Sequence, residues 1–323
     1  MVTHVNREKT VPEGEDVDVL ASLLDVHRLT TVVAGRIDLA PPWRLDSEPT
    51  DLVSILVQAV GQSYLVRKED AEPVVMNPGD VVIQLRGVGG GYIHDGSDPA
   101  TTTWMLTPKP GRTATPGPLR LTPDNPASSF VCCLMRLGDA PRGPLLDSLP
   151  AVTHISTRAS GTSGQIWRVA EMMISESTSP GPASTRLMSR LAEVLLILAL
   201  RRQANDRTGK PGLRALADPL IAPAIKAIHA DPGQHWSVAS LAAICGLSRS
   251  AFAARFAETV GEAPHSYLTG WRMATAAKML STTDTTVDRI AEMVGYRSEA
   301  AFRRAFTAAI HRTPREYRAH GRR

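Results

Sequence analysis

The hydrophobic positions change period three times along the chain. From Asp16 to Leu29 (DVDVLASLLDVHRL) they recur every three to four residues, which puts Val19, Leu20, Leu23, Leu24 and His27 on one side of a short amphipathic helix. From Thr31 to about Met135 the period shortens. TTVVAGRI, SILVQAV, YLVRK, PVVM, DVVIQL, TTTWML and SSFVCCLMRL read as strands. Gly61, Pro78-Gly79, Gly89-Gly90-Gly91 and a long Pro- and Gly-rich loop from Pro108 to Pro126 punctuate them. Short strands with regular turn signals predict an all-β sandwich or barrel. After Ser163 the helical period returns, first in GQIWRVAEMMISES and then from Ser184 to Gln203. The second helix carries Leu187, Leu191, Val194, Leu195 and Leu198 as a broad apolar stripe, suited to its own domain or in part to a dimer seam. Ala204 to Gly212 (ANDRTGKPG) reads as a linker, and from Asp218 onward the pattern is helical.

That last part contains a weak internal repeat. Val238 to Phe256 aligns with Val287 to Phe306: Val238 on Val287, Leu241 on Ile290, Ala242 on Ala291 and Gly246 on Gly295. After one extra residue in the second copy, Ser248 meets Ser298, Phe252 meets Phe302 and Phe256 meets Phe306. Each copy has helix-turn-helix grammar. A small residue lets the second helix approach, a glycine ends the first helix, and a serine caps the next. Phenylalanines at i and i+4 pin that second helix and leave its other face free for a major groove. One such pattern is weak; two in register are not. Between them Pro264 to Ser281 reads as a long helix that would hold the units about one DNA turn apart.

Charge supports this division. From Asp218 to Arg323 there are 14 Lys/Arg against 9 Asp/Glu, while the preceding residues carry 22 against 23. A basic C-terminal third behind a near-neutral body is a mild electrostatic signal for nucleic acid. A length of 323 residues favours two domains, and 43% hydrophobic content supports a real core. The three cysteines, Cys132, Cys133 and Cys245, do not form a secreted disulfide framework. The N-terminus lacks the apolar stretch of a signal peptide, and the longest apolar run, Leu191 to Leu200, falls short of the roughly 20 residues a bilayer needs. The expected location is the cytoplasm, without a membrane partner.

Several motifs are recognisable. They are Trp236-Ser237-Val238-x-x-Leu241-Ala242, Gly246-Leu247-Ser248-Arg249-Ser250-x-Phe252-x-x-Arg255-Phe256 and Pro264-x-x-Tyr267-Leu268-x-x-Trp271-Arg272-Met273. Further along come Ile290-Ala291-x-x-Val294-Gly295-Tyr296-x-Ser298-Glu299-x-Ala301-Phe302-x-Arg304-Ala305-Phe306 and Thr313-Pro314-x-x-Tyr317-Arg318. Over roughly the last hundred residues the chain closely resembles the AraC/XylS family of bacterial transcription regulators. More loosely, Asn77-Pro78-Gly79-Asp80-Val81-Val82, Val131-Cys132 and Gly143 to Pro150 resemble the cupin-type sensor domain of one branch of that family.

The resemblance implies an α+β two-domain protein. Residues 1–203 would form a cupin-like sensor and dimerisation domain, with a β-barrel at about 31–137 and helices at about 163–203. Residues 204–217 would be the linker and 218–323 an all-α DNA-binding domain, with helix-turn-helix units at about 238–259 and 287–310. Carried over by position, the first recognition helix offers Ser248, Arg249, Ser250, Ala253 and Ala254 to DNA, and the second Ser298, Glu299, Ala300, Arg303 and Arg304. Ala254 stands where the family often has arginine, so the first helix reads by apolar contact, as to a thymine methyl, or contributes little. Arg255 lies beside the Phe252/Phe256 face and suits a structural or phosphate contact.

The barrel strands lack the histidines of a metal-binding cupin, and lone His94 cannot build such a site. No nucleophile–base pair, P-loop or dinucleotide fingerprint is present. No metal or cofactor is therefore expected, and a metal-dependent cupin enzyme with an accessory DNA domain is disfavoured. On alternation, one of Cys132 and Cys133 faces in and one out; structural burial is the default for both, and the alternative, redox sensing, would need an exposed, low-pKa thiolate. The expected activity is transcription regulation by a homodimer on double-stranded promoter DNA, with RNA polymerase as a further partner. The sensor domain would take an unidentified small-molecule or redox signal. The other alternative is a constitutive DNA-binding dimer without a ligand.

Overall fold

The residues read as strands between Thr31 and Met135 do form strands. The computed structural model describes residues 17–27, 29–47, 52–67, 72–85, 91–97, 103–105, 119–120, 126–138, 143–156, 163–205 and 211–321. Helix α1 (Val19–His27) leads into β1 (Thr30–Leu39), β2 (Arg44–Ser47), β3 (Leu52–Val60), β4 (Ser63–Arg67), β5 (Val74–Met76), β6 (Val81–Gln84) and β7 (Gly91–His94). There follow β8 (Thr103–Met105), β9 (Leu119–Arg120), β10 (Ser128–Arg136), α2 (Gly143–Asp147), β11 (Val152–Ile155), α3 (Ser163–Thr178) and α4 (Ser184–Asn205). The remainder is α5 (Ala222–Ala230), α6 (Val238–Ile244), α7 (Arg249–Val260), α8 (Pro264–Thr282), α9 (Val287–Met293), α10 (Glu299–Ile310) and α11 (Pro314–Gly321). Apart from β9 and Pro126, the predicted loop from Pro108 to Pro126 lies outside the described residues.

Internal contacts divide the chain into two compact units, one of Arg28–Asp139 with Ser148–Arg214, the other of Met1–His27, Ala140–Asp147 and Ala215–Arg323. In the first unit the strands pair as two sheets, ordered β11-β6-β3-β10-β1-β9 and β5-β4-β7-β2-β8. Among the described residues these two sheets form the strand-rich, cupin-like unit that was expected. A shared core joins them: Leu39, Trp43, Leu45, Leu56, Phe130 and Leu134 are all buried. Burying each such side chain contributes about 1.5–3 kcal/mol. The Asn77–Asp80 motif is a tight turn. Asp80 Oδ2 accepts from Asn77 N at 2.9 Å, and Gly79 takes a φ of 91°.

Helices α3 and α4 cover the other face of the larger sheet, packing on β1 and β10. This agrees with burial, the default reading for the cysteines, and not with the redox alternative. Cys132 does point into the inter-sheet core and Cys133 the other way, but both faces are covered, and their exposures are 2% and 0%. Desolvation pushes the Cys132 thiol up to about 12, and Cys133 rises for the same reason with a further push from Cys132. Neither is the exposed thiolate that redox sensing requires. Iodoacetamide at pH 8 should leave both unmodified in the folded chain and label both after denaturation; rapid labelling of the native protein would contradict the burial. On α4, Leu191 and Leu195 are buried as expected, whereas Leu187 and Val194 stay exposed.

The second unit is helical and centred on α8. Tyr267, Leu268, Trp271, Met273, Ala274, Ala277 and Leu280 are buried around several sides of it. A helix apolar on many sides is an interior helix, and α8 touches α1, α2, α5, α7, α9, α10 and α11. His229 stacks on Trp271 with ring centroids 3.7 Å apart, and its Nε2 lies 2.7 Å from the Tyr267 hydroxyl. Burial pulls the His229 pKa down to about 3, so the ring is neutral at physiological pH.

Helix α1 departs from the linear division into residues 1–203 and 218–323. Its buried face is Val19, Leu20, Leu23, Val26 and His27, with Leu24 only half-buried. That face packs on α8 and α5, and Asp25 lies 3.7 Å from Lys278. Helix α2 packs on α8 as well. Both belong to the helical unit because that is where their apolar faces find partners.

Candidate nucleic-acid interface

The two repeats fold alike at the level of single hydrogen bonds. In the first, Ser237 caps α6 in a reciprocal box with Ser240, and Gly246 ends the helix with φ 62°. Gly246 N donates to Ala243 O and Leu247 N to Ala242 O, at 3.1 and 3.0 Å. In the second, Thr286 caps α9 and Gly295 ends it with φ 83°. Gly295 N donates to Glu292 O and Tyr296 N to Ala291 O, both at 2.9 Å. This paired bonding around a left-handed glycine satisfies the last carbonyls of each first helix. The serines then start the next helices, with Ser248 accepting from Ala251 N at 3.2 Å and Ser298 from Ala301 N at 3.3 Å.

One face of each second helix is locked. Phe252, Phe256, Phe302 and Phe306 are each 0% exposed. Within each pair the ring centroids lie 5.5 Å apart, and Phe256 and Phe306 meet Tyr267 and Tyr317 edge-on at 5.6 and 5.7 Å. The opposite faces meet solvent. On α7 and its cap, Ser248, Arg249, Ser250 and Ala254 are exposed and Ala253 is half-buried. On α10 and its cap, Ser298, Ala300, Arg303 and Arg304 are exposed and Glu299 is half-buried. The sequence-predicted residues of each helix therefore fall on one accessible N-terminal region.

The guanidiniums differ in what holds them. Arg303 Nε donates to Glu299 Oε1 at 2.7 Å, and its Nη2 donates to the same oxygen. Arg249 and Arg304 take part in no ion pair recorded among the described residues. Arg255 Nη2 lies 2.9 Å from Asp218 Oδ2, an ion pair that favours the structural one of its two expected roles. Arg272, not singled out for a role from sequence, is a clamp: Nε donates to Pro232 O at 2.7 Å and Nη2 to Gln234 O at 2.8 Å. Burial lowers its pKa somewhat. Its only sequence signal was its place beside Trp271 in a motif. At Thr313, Glu316 Oε2 accepts from the backbone N at 2.8 Å and caps α11; that bond holds the Glu316 pKa below its usual value.

Elsewhere, His94 on β7 packs against Tyr64 and Tyr92 with tilted rings, centroids 5.4 and 5.5 Å away, an aromatic packing role. Among the described residues no three His, Cys, Asp or Glu side chains gather to hold a metal ion. No helix among them is long and apolar enough to cross a membrane.

Comparison with known proteins fits this geometry. Residues 18–205 match the cupin family model and residues 241–320 a helix-turn-helix domain model. The chain is 34% identical over 197 residues to the RCS-specific HTH-type transcriptional activator RclR of Escherichia coli K12, covering 60% of this chain and 69% of that protein. A Streptomyces lividans protein named as an AraC-like transcription regulator is 37% identical over 178 residues. The chain belongs to the AraC-type family of transcription regulators. The match to the Streptomyces protein covers 54% of this AraC-type chain and spans little more than half that relative's length, 58%. Over 308 residues the chain is 25% identical to the HTH-type transcriptional regulator MtrA of Neisseria gonorrhoeae, covering 94% of this chain and 99% of that one.

Proposed function

We propose that this chain regulates transcription by binding promoter DNA sequence-specifically through α7 and α10, under control of a small-molecule signal taken by the cupin-type unit. The observation that carries the reading is the pair of serine-capped helices, each locked by two fully buried phenylalanines with its polar face open. Such a helix suits a major groove, and two joined through one long helix suit successive groove faces. Binding rather than catalysis is the mode of action.

Homodimerisation is part of the proposal. Trp167 and Met172 on α3 and Leu187 and Val194 on α4 are exposed, and Leu187 and Val194 lie seven residues apart on one side of α4. A second copy would cover them; RNA polymerase would be a further partner on the promoter. The full chain should select a discrete site from duplex DNA, with affinity falling steeply as salt rises. Replacing Arg303 and Arg304 together by alanine should weaken that site roughly tenfold or more. Unchanged affinity in the double variant would sink the readout assignment.

A further inference from the structure

The recognition helices differ in charge where they match in structure. At the first helical position α7 has Arg249, with Ala253 four residues on; α10 has Glu299, with Arg303 four residues on. Glu299 is the only acid in the N-terminal half of either helix. An exposed i,i+4 pair supports a helix too weakly to matter for folding. A carboxylate in the first turn suits the positive end of the helix, but on a groove-facing surface it is repelled by phosphates unless a base edge offers it a donor.

We propose that Glu299 is a specificity-determining residue that reads cytosine, with Arg303 held beside it for the paired guanine. The inference rests on α10 entering the major groove. Acidic side chains accept from the cytosine N4 amino group, and arginine donates to guanine O6 and N7. A single C·G pair presents both edges. Glu299 Oε1 takes both the Nε and the Nη2 of Arg303, which leaves Oε2 for an amino group and Nη1 for an acceptor. The same pairing keeps Arg303 off the phosphate backbone and so lowers non-specific affinity.

The test is selection of duplex DNA from a random pool by the full chain and by Glu299→Ala, Glu299→Gln and the Arg303→Ala/Arg304→Ala double variant. The wild type should enrich cytosine at one position. Glu299→Ala should flatten that position by about tenfold while binding to random DNA tightens and the salt dependence steepens by about one charge. Glu299→Gln should move the preference toward adenine, the base a carboxamide reads through N6 and N7; a merely helix-supporting glutamate predicts no such switch. An unchanged base profile in Glu299→Ala overturns the proposal while leaving groove reading by α10 intact. An unchanged profile in the double arginine variant overturns groove reading itself, and this proposal with it.

Discussion

Phe302→Ala should melt the helical unit well below the wild type and abolish DNA binding. The ring is 0% exposed, 5.5 Å from Phe306 and edge-on to Tyr296 at 5.7 Å. Truncating a buried phenylalanine costs about 3–5 kcal/mol, out of about 5–15 for a typical domain. For a unit of this size that is a fall of roughly 10–20 °C in its transition. Calorimetry of the full chain should show the loss in one transition, with the strand-rich unit unmoved. Arg304→Ala, on the exposed side of the same helix, should shift that transition little while weakening DNA binding. A Phe302→Ala fall worth less than about 1 kcal/mol would mean that the aromatic lock is not what holds α10.

The two turn glycines should respond very differently to alanine, although their backbones match. Both have positive φ, where a side chain costs about 1–2 kcal/mol. A Cβ on Gly246 meets nothing within 4 Å, so Gly246→Ala should cost little more than that. On Gly295 it would lie 2.6 Å from Arg272 Nη2 and 2.7 Å from Gly233 O. Arg272 cannot easily withdraw, because its guanidinium is bonded to Pro232 O and Gln234 O. Overpacking of this kind adds about 1–3 kcal/mol. Urea unfolding of the two variants measures the difference; equal midpoints would show that the Arg272 clamp yields.

Much of the DNA-reading half was legible because its determinants are local. A glycine, a serine two or three residues later and phenylalanines four apart fix a turn, a cap and a face within about ten residues, and the second copy checks the first. What escaped notice depends on distant partners. Nothing near Arg272 announces that its bonds go to a loop 38 to 40 residues earlier. Periodicity showed that α1 has an apolar face but not which unit receives it. Alternation gave Cys132 and Cys133 opposite directions but not the cover on both sides. The near-continuous apolar run FVCCLM was the available signal, since strands buried on both faces lose their polar alternation.

The membership of α1 and α2 in the helical unit has a practical side for gene fusion. The chain passes between units four times, at residues 27/28, 139/140, 147/148 and 214/215. A chimaera spliced at the 204–217 stretch, the obvious junction by composition, would therefore not exchange whole modules. It would seat a foreign first helix on α8, beside the cavity that Leu23 and Leu145 now line together with Tyr267, Trp271 and Ala274. Exchanging the strand-rich unit of this protein calls for grafting two segments, Arg28–Asp139 and Ser148–Arg214, with α1 and α2 kept native to α8.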